Sequence, residues 1–148
     1  MNSEMNPDFD HTTIDIADDT VIYASAGELI AIIRDQSTLV RWWPDLKLVV
    51  YRDRGDKGLR WTVTGALVGS SEIWLESIEL APAEESVTIV HYYLRANPTQ
   101  IGSRIHPRAV TNSAREQRET HKLRERHVLA WKQNVWSLKD RLENRNVE

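Results

Sequence analysis

The fold is decided by residues 113–144, which read SAREQRETHKLRERHVLAWKQNVWSLKDRLEN. Apolar residues recur there at alternating steps of three and four, at Val128, Trp131, Val135, Leu138 and Leu142. This spacing places the apolar side chains on one stripe of an α-helix. Ser113 and Glu116 have the spacing of a capping box, which marks a helix start. The stretch therefore predicts one long C-terminal helix whose apolar stripe needs a sheet to cover it.

Composition limits the classes of protein that the chain can represent. Its 148 residues suffice for one domain with a sizeable core, and the absence of cysteine excludes disulfides, a thiol nucleophile and a Cys-ligated metal. No apolar run approaches the roughly 20 residues of a membrane span, and Met1 to Thr13 lacks the apolar core of a signal peptide. The net charge of −3 disfavours nucleic-acid binding. We expect a cytoplasmic protein that binds no nucleic acid and has no transmembrane segment.

The chain begins with a tail and a strand. Residues 1–11 are polar and lack periodicity, so they predict a disordered N-terminal tail, and residues 12–145 are expected to form a single domain. Apolar and β-branched residues over Thr12–Ala24 predict a first strand, with Asp18-Asp19 as a bulge or bend within it.

Two short helices are predicted next. Ser25 is a suitable N-cap for a strongly apolar helix over Ala26–Arg34. A second helix over Ser37–Trp42 ends near Pro44, because the residue before a proline disfavours the α conformation.

Strand signals dominate the middle of the chain. They predict strands at Leu46–Arg52, Leu59–Leu67, Glu72–Leu80 and Ser86–Ala96. Turns are predicted at Gly69-Ser70 and Pro82–Glu85, and short turns favour an antiparallel meander. The order of elements is that of an α+β protein, in which a curved antiparallel sheet wraps around the last helix and leaves a cavity where the two do not touch.

Several stretches resemble the START-like, or SRPBCC, superfamily of helix-grip proteins, in particular its polyketide cyclase/dehydrase-like branch of actinobacterial type. These stretches are Val21–Ser25 leading into Ala26–Ile33, then Arg41–Asp45, Arg60–Val63, Ser71–Glu76 and His91–Arg95. The resemblance implies a curved antiparallel sheet wrapped around a long C-terminal helix, with two short helices after the first strand. It implies little about function, because the superfamily includes lipid carriers, hormone receptors, cyclases and proteins of unknown role. Residues 97–110 are short for the further strands of many members, which implies a smaller or more open cavity.

Alternation gives the two central strands two different faces. The first face is the more apolar and is expected to face the helix: Ile73, Leu75 and Ser77 with Val90, Tyr92 and Leu94. The second face carries Trp74 and Tyr93 and is either a charge-paired surface or a partner surface. A one-residue bulge would exchange the two faces.

Candidate ligand contacts follow from this arrangement: Trp42, Trp43, Leu75, Tyr92, Leu94, Arg124, Val128, Trp131 and Val135. Each tryptophan has two interpretations, as part of the core or as a wall of the cavity. Continuing the helical stripe towards the N-terminus leads to Arg124 and His121, so the stripe becomes polar there. An arginine facing the pocket would suit a carboxylate, phenolate or enolate, whereas past the end of the sheet both residues would be solvated.

No cofactor, metal site or catalytic residue is predicted. His121, Glu125 and His127 do not share one helix face in the spacing of a metal site. Glu76 and His91 on adjacent strands are expected to form a surface ion pair in preference to an acid–base pair.

Three functions are therefore open. The preferred hypothesis is a monomeric or weakly homodimeric protein whose cavity binds a hydrophobic small molecule or lipid, either lipid-like or polyketide-like. The ligand would be anionic if Arg124 contacts it. The second is a cyclase- or dehydratase-like enzyme, as the resemblance implies. The third is an interaction protein without a ligand, which would use the Trp74 and Tyr93 face or the basic start of the helix.

Overall fold

The computed structural model describes residues 12–79, 85–109 and 113–144. The helices and strands are β1 (Ile14–Ile22), α1 (Ala26–Ile33), α2 (Gln36–Trp42), β2 (Leu46–Asp53), β3 (Gly58–Gly65), β4 (Leu67–Glu79), β5 (Ser86–Pro98) and α3 (Ala114–Asn144). The predicted disordered tail lies outside the described residues, as does most of the predicted turn at Pro82–Glu85.

The strands form one antiparallel sheet in the order β1-β5-β4-β3-β2. The curved sheet holds α3 against its inner face, and α1 and α2 follow the first strand. This arrangement is the START-like helix-grip fold that the resemblance implies, and the α+β prediction is confirmed. β5 continues to Pro98, and an isolated bridge joins Thr99 to Pro107 within residues 97–110, the segment that is short for further strands.

The assignment of the sheet faces is also confirmed. The inner face of the central strands is closed to solvent, with exposed fractions of 3% or less at Ile73, Leu75, Val90, Tyr92 and Leu94. The residues that alternate with them along β4 and β5 are half-buried or exposed. Ser77, at the far end of β4, is exposed.

The predicted bulge at Asp18-Asp19 is wrong. β1 pairs with β5 without interruption, from Ile14 opposite Ala96 to Ile22 opposite Thr88. Asp18 therefore lies on the inner face of the sheet, where a carboxylate needs hydrogen-bond donors from the helix.

The predicted turn at Gly69-Ser70 is also wrong, because the chain turns earlier, after Gly65. Gly65 has a φ of 111°, a conformation that glycine adopts without a steric penalty. Gly69 lies within β4, where a Cβ would come within 2.0 Å of the Arg95 carbonyl oxygen. Glycine at this position serves a close approach between strands.

Helix caps are formed locally. Ser25 and Glu28 form a complete capping box at α1, and the Asp35 side chain accepts from the Ser37 N–H at α2. At the start of α3, the Glu116 N–H donates to Ser113 Oγ at 3.3 Å, as the sequence predicts.

Helix α3 is buried on the predicted stripe, with one correction. The buried residues of α3 are His127, Trp131, Val135, Leu138 and Leu142. Val128 was predicted on the stripe but is only half-buried. The buried face runs from Val135 back to Trp131 and then to His127 in four-residue steps, so His127 takes the position predicted for Val128. No residue of α3 before His127 is buried, so the N-terminal part of the helix extends past the packed core.

Gly58 provides a test of the β3–β4 pairing. Its φ is 126°, and a Cβ would lie 1.9 Å from the Ile73 carbonyl oxygen. We expect Gly58→Ala to lower the free energy of unfolding by at least ~3 kcal/mol, because backbone strain and a clash combine. Gly55→Ala is the matched control, since Gly55 also has positive φ but no atom within 4 Å of the added Cβ. It should cost about 1 kcal/mol. Equal losses in urea unfolding would contradict this account of the pairing.

Candidate ligand-binding cleft

Four nearly parallel rings lie between α3, α2 and the sheet. This aromatic quartet consists of Trp43, Tyr92, His127 and Trp131. The Trp43 ring stacks on His127 with centroids 4.0 Å apart, and Tyr92 stacks on Trp131 at 4.1 Å. Trp43 is placed by the C-terminal cap of α2, and its N–H donates to the Leu39 carbonyl at 2.9 Å. The quartet thus joins three elements that are far apart in the sequence.

Tyr92 and His127 form a buried polar pair at the centre of the quartet. The Tyr92 hydroxyl lies 2.6 Å from His127 Nε2. The two side chains are only 2% and 8% exposed. Burial raises the pKa of Tyr92 and lowers the pKa of His127 to about 4, so both groups are neutral near pH 7.

Asp18 of β1 fixes the position of Trp131, one of the four rings of the quartet. Trp131 Nε1 donates to Asp18 Oδ2 at 2.8 Å, and Lys132 Nζ donates to the other carboxylate oxygen. Trp42 meets Trp131 edge to face, at 5.9 Å and 78°. The hydrogen bonds from Trp131 and Lys132 supply the donors that the Asp18 carboxylate needs on the inner face of the sheet.

A cleft of about 220 Å³ opens beside the quartet. This Trp43 cleft is lined by Trp42, Trp43, Pro44, Asp45, Leu46, Ala66, Leu67, Leu123, Arg126, His127 and Ala130. Most of these side chains are apolar, the charged ones being Asp45 and Arg126. The cleft is therefore an apolar site that contains one buried polar ring, His127.

A second cleft of about 300 Å³ lies beside the start of α3. This Arg124 cleft is lined by Thr13, Pro98, Arg108, Ala109, Glu116, Gln117, Thr120, His121 and Arg124. Arg108 Nη2 donates to the Thr99 carbonyl at 3.2 Å, and an Nη1 of the same residue is 3.8 Å from Glu119. His121 forms an ion pair with Glu125 on the helix surface.

The structure distributes the predicted ligand contacts over four places. Trp42 and Trp43 line the Trp43 cleft, and Arg124 lines the second cleft. Tyr92 and Trp131 belong to the quartet behind His127. The others lie in or beside the packed core, namely Leu75, Leu94 and Val135, which are buried, and Val128, which is half-buried. Their contact with a ligand stays a prediction.

Sequence reasoning missed His127 as a cleft residue. Four-residue steps from Val135 through Trp131 reach His127, and this spacing is the signal that places it on the buried face. Leu123, Arg126 and Ala130 were missed as well, because they lie on one flank of α3 and the stripe analysis considered only its centre.

The outer face of the sheet carries a separate cluster. The His91 ring stacks on Trp74 at 4.3 Å, while its Nδ1 and Nε2 lie 2.6 Å from Asp19 and 2.9 Å from Glu76. Desolvation lowers the pKa of His91, but the hydrogen bonds to Glu76 and Asp19 outweigh it and raise this pKa above its ordinary value. The predicted Glu76–His91 surface pair is confirmed, and it points away from both clefts.

Among the residues that the structure describes, no group of three or more His, Asp or Glu side chains is placed to share a metal ion. None of the described helices combines the length and the apolar character that crossing a membrane requires.

The low pKa of His127 predicts a pH dependence of stability. Between pH 6.5 and about 4 the unfolded chain binds a proton at this residue that the folded chain does not. The unfolded state is therefore favoured as the pH falls, by about 2 kcal/mol at pH 5. Urea unfolding at pH 7 and pH 5 should show this loss in the wild type and not in His127→Phe.

His91 shifts in the opposite sense, so it stabilises the fold at low pH and loses this effect as the pH rises through its raised pKa. Because it is present in both proteins, its contribution cancels in the comparison. Parallel pH profiles for the wild type and His127→Phe would contradict a neutral, buried His127.

Comparisons with known proteins show likeness in fold only. No family model matches the chain, and no curated protein matches it in sequence. Similar solved structures include the Aha1 dimer from Colwellia psychrerythraea, at 16% identity and a TM-score of 0.44 over 88% of this chain and 97% of that one. A Deinococcus radiodurans protein is 12% identical, with a TM-score of 0.47 over 88% and 98% of the two chains. The Zhui aromatase/cyclase from Streptomyces sp. R1128 is 11% identical, with a TM-score of 0.41 over 88% and 95%. Identities this low transfer neither a ligand nor an activity to this chain.

Proposed function

We propose that this protein binds a hydrophobic small molecule, and that the Trp43 cleft is the site. The observation that carries the proposal is the composition of the cleft: an apolar concavity in which Trp43 and His127 lie next to one another. Sites of this kind combine mostly apolar walls with few polar groups that fix orientation.

The rigidity of the cleft supports the same function. Its floor is formed by Trp43 and His127, which are 6% and 8% exposed and are held in place by the other two rings of the quartet. Side chains held by packing lose little conformational entropy when a ligand binds, so a preformed apolar site binds more tightly than a flexible one. Trp42 and Leu123, both half-buried, form the walls above this floor.

A positive charge at the rim of the cleft favours an anionic ligand. Arg126 lines the cleft and is exposed, and none of the ion pairs among the described residues involves it. A guanidinium without an ion-pair partner is suited to a carboxylate or a similar group. The helix stripe predicts this role for Arg124, which lines the neighbouring cleft, so its contact with an anionic group stays a prediction for that cleft.

A blocking substitution tests the site. Ala130 lines the cleft, and Ala130→Phe should fill it without removing a member of the quartet. With naphthalene-1-sulfonate as the probe, we expect saturable binding to the wild type and at least tenfold weaker binding to the variant, a change of about 1.4 kcal/mol. The measurement is a fluorescence titration.

The matched control is Leu129→Phe, which changes the adjacent residue on the same helix. Leu129 is 60% exposed and does not line the cleft. It should leave the affinity unchanged. Equal affinity of all three proteins for the probe would show that the Trp43 cleft is not the site.

A further inference from the structure

We propose that the ligand of the Trp43 cleft is a flat aromatic molecule of one or two rings, with an acceptor oxygen that takes a hydrogen bond from Nδ1 of His127. This inference rests on the proposed function and names the class of ligand.

The size of the cleft limits the ligand. Its volume of about 220 Å³ is below the roughly 300–1,000 Å³ of sites for drug-sized molecules. The cleft does not extend into the space between α3 and the sheet, because that space is filled by side chains. Leu75, Leu94 and Val135 are 3%, 1% and 0% exposed there. A one- or two-ring molecule fits, whereas an extended acyl chain would lie largely in solvent.

The walls favour a ring over an aliphatic group. Trp42 and Trp43 both face the cleft, and the Trp43 indole lies nearly parallel to the His127 ring, at 5°. Aromatic walls gain from stacked or edge-to-face contact with another ring, in addition to the burial of apolar area.

The hydrogen bonds of His127 define the polar group. The buried Tyr92 hydroxyl is a donor that needs an acceptor, and Nε2 of His127 lies 2.6 Å away. A neutral imidazole whose Nε2 accepts a hydrogen bond carries its proton on Nδ1. Among residues 12–79, 85–109 and 113–144, no side chain or carbonyl bonds to Nδ1. His127, which lines the cleft, therefore carries an N–H donor on Nδ1 that we assign to the ligand, and the matching ligand group is a carbonyl or another acceptor oxygen.

A pair of probes tests this assignment. 2-Acetonaphthone and 2-ethylnaphthalene have similar size and differ by a carbonyl in place of a methylene. Equilibrium dialysis measures the ratio of their two Kd values, first for the wild type and then for the double variant His127→Phe/Tyr92→Phe, which keeps both rings and removes both polar groups. We expect the preference for the ketone to fall by about tenfold in the double variant, the effect of one hydrogen bond to a buried group. His106→Phe, in the Gln100–Arg108 loop and in neither cleft, should keep the wild-type ratio.

Three outcomes overturn the inference. If the double variant keeps the wild-type ratio while both probes bind, Nδ1 does not select the ligand, and the proposed function stands. If the wild type binds neither probe and Ala130→Phe does not affect the sulfonate probe, the proposed function fails too.

The third outcome needs no variant. The roles in the Tyr92–His127 hydrogen bond depend on the imidazole tautomer, and a bond donated by Nε2 to the Tyr92 oxygen would place the proton on Nε2. The ¹⁵N spectrum of His127 in the wild type should show the proton on Nδ1. A proton on Nε2 would contradict the inference even if the double variant does not fold.

Discussion

The contact between Trp131 and the sheet is the interaction on which the rest of the structure depends. Trp131 stacks on Tyr92 of β5, and its indole N–H donates to Asp18 of β1. One side chain thereby fixes the distance and the rotation of α3 relative to two neighbouring strands. Asp18 is 17% exposed at its side chain, so its carboxylate also requires the bond from Lys132. Removing either donor would leave a largely buried charge without full compensation.

This anchoring fills the space between α3 and the sheet. The superfamily resemblance implies a cavity between the sheet and the last helix, but here aromatic rings occupy that space. Tyr92, Trp131 and Val135 are among the most deeply buried side chains of the described residues. The Trp43 cleft lies on the flank of α3, outside this filled interior, and Trp43 forms part of its floor. The enzyme alternative loses His91 as a candidate, because that ring lies on the opposite face of the sheet.

The fold could be predicted because its signals are periodic. The three-and-four spacing of α3 and the alternation along β4 and β5 report directly which side chains are buried. The site could be predicted only in part. Trp43 was identified from its place at the end of a short helix. His127 and Asp18 were not, because a polar residue on a buried face becomes favourable only through a partner from a distant segment. Gly69 was misassigned for a similar reason: a glycine needed for close approach between strands has the same sequence signal as one in a turn.

The proposed ligand occupies the flank of α3 and not the interior between helix and sheet. Intermolecular NOEs between bound 2-acetonaphthone and ¹³C-labelled methyl groups test this most directly. The Trp43 cleft predicts NOEs to the methyl groups of Leu123 and Ala130. NOEs to Leu75 and Leu94, with none to Leu123 or Ala130, would place the ligand in the core and contradict the account.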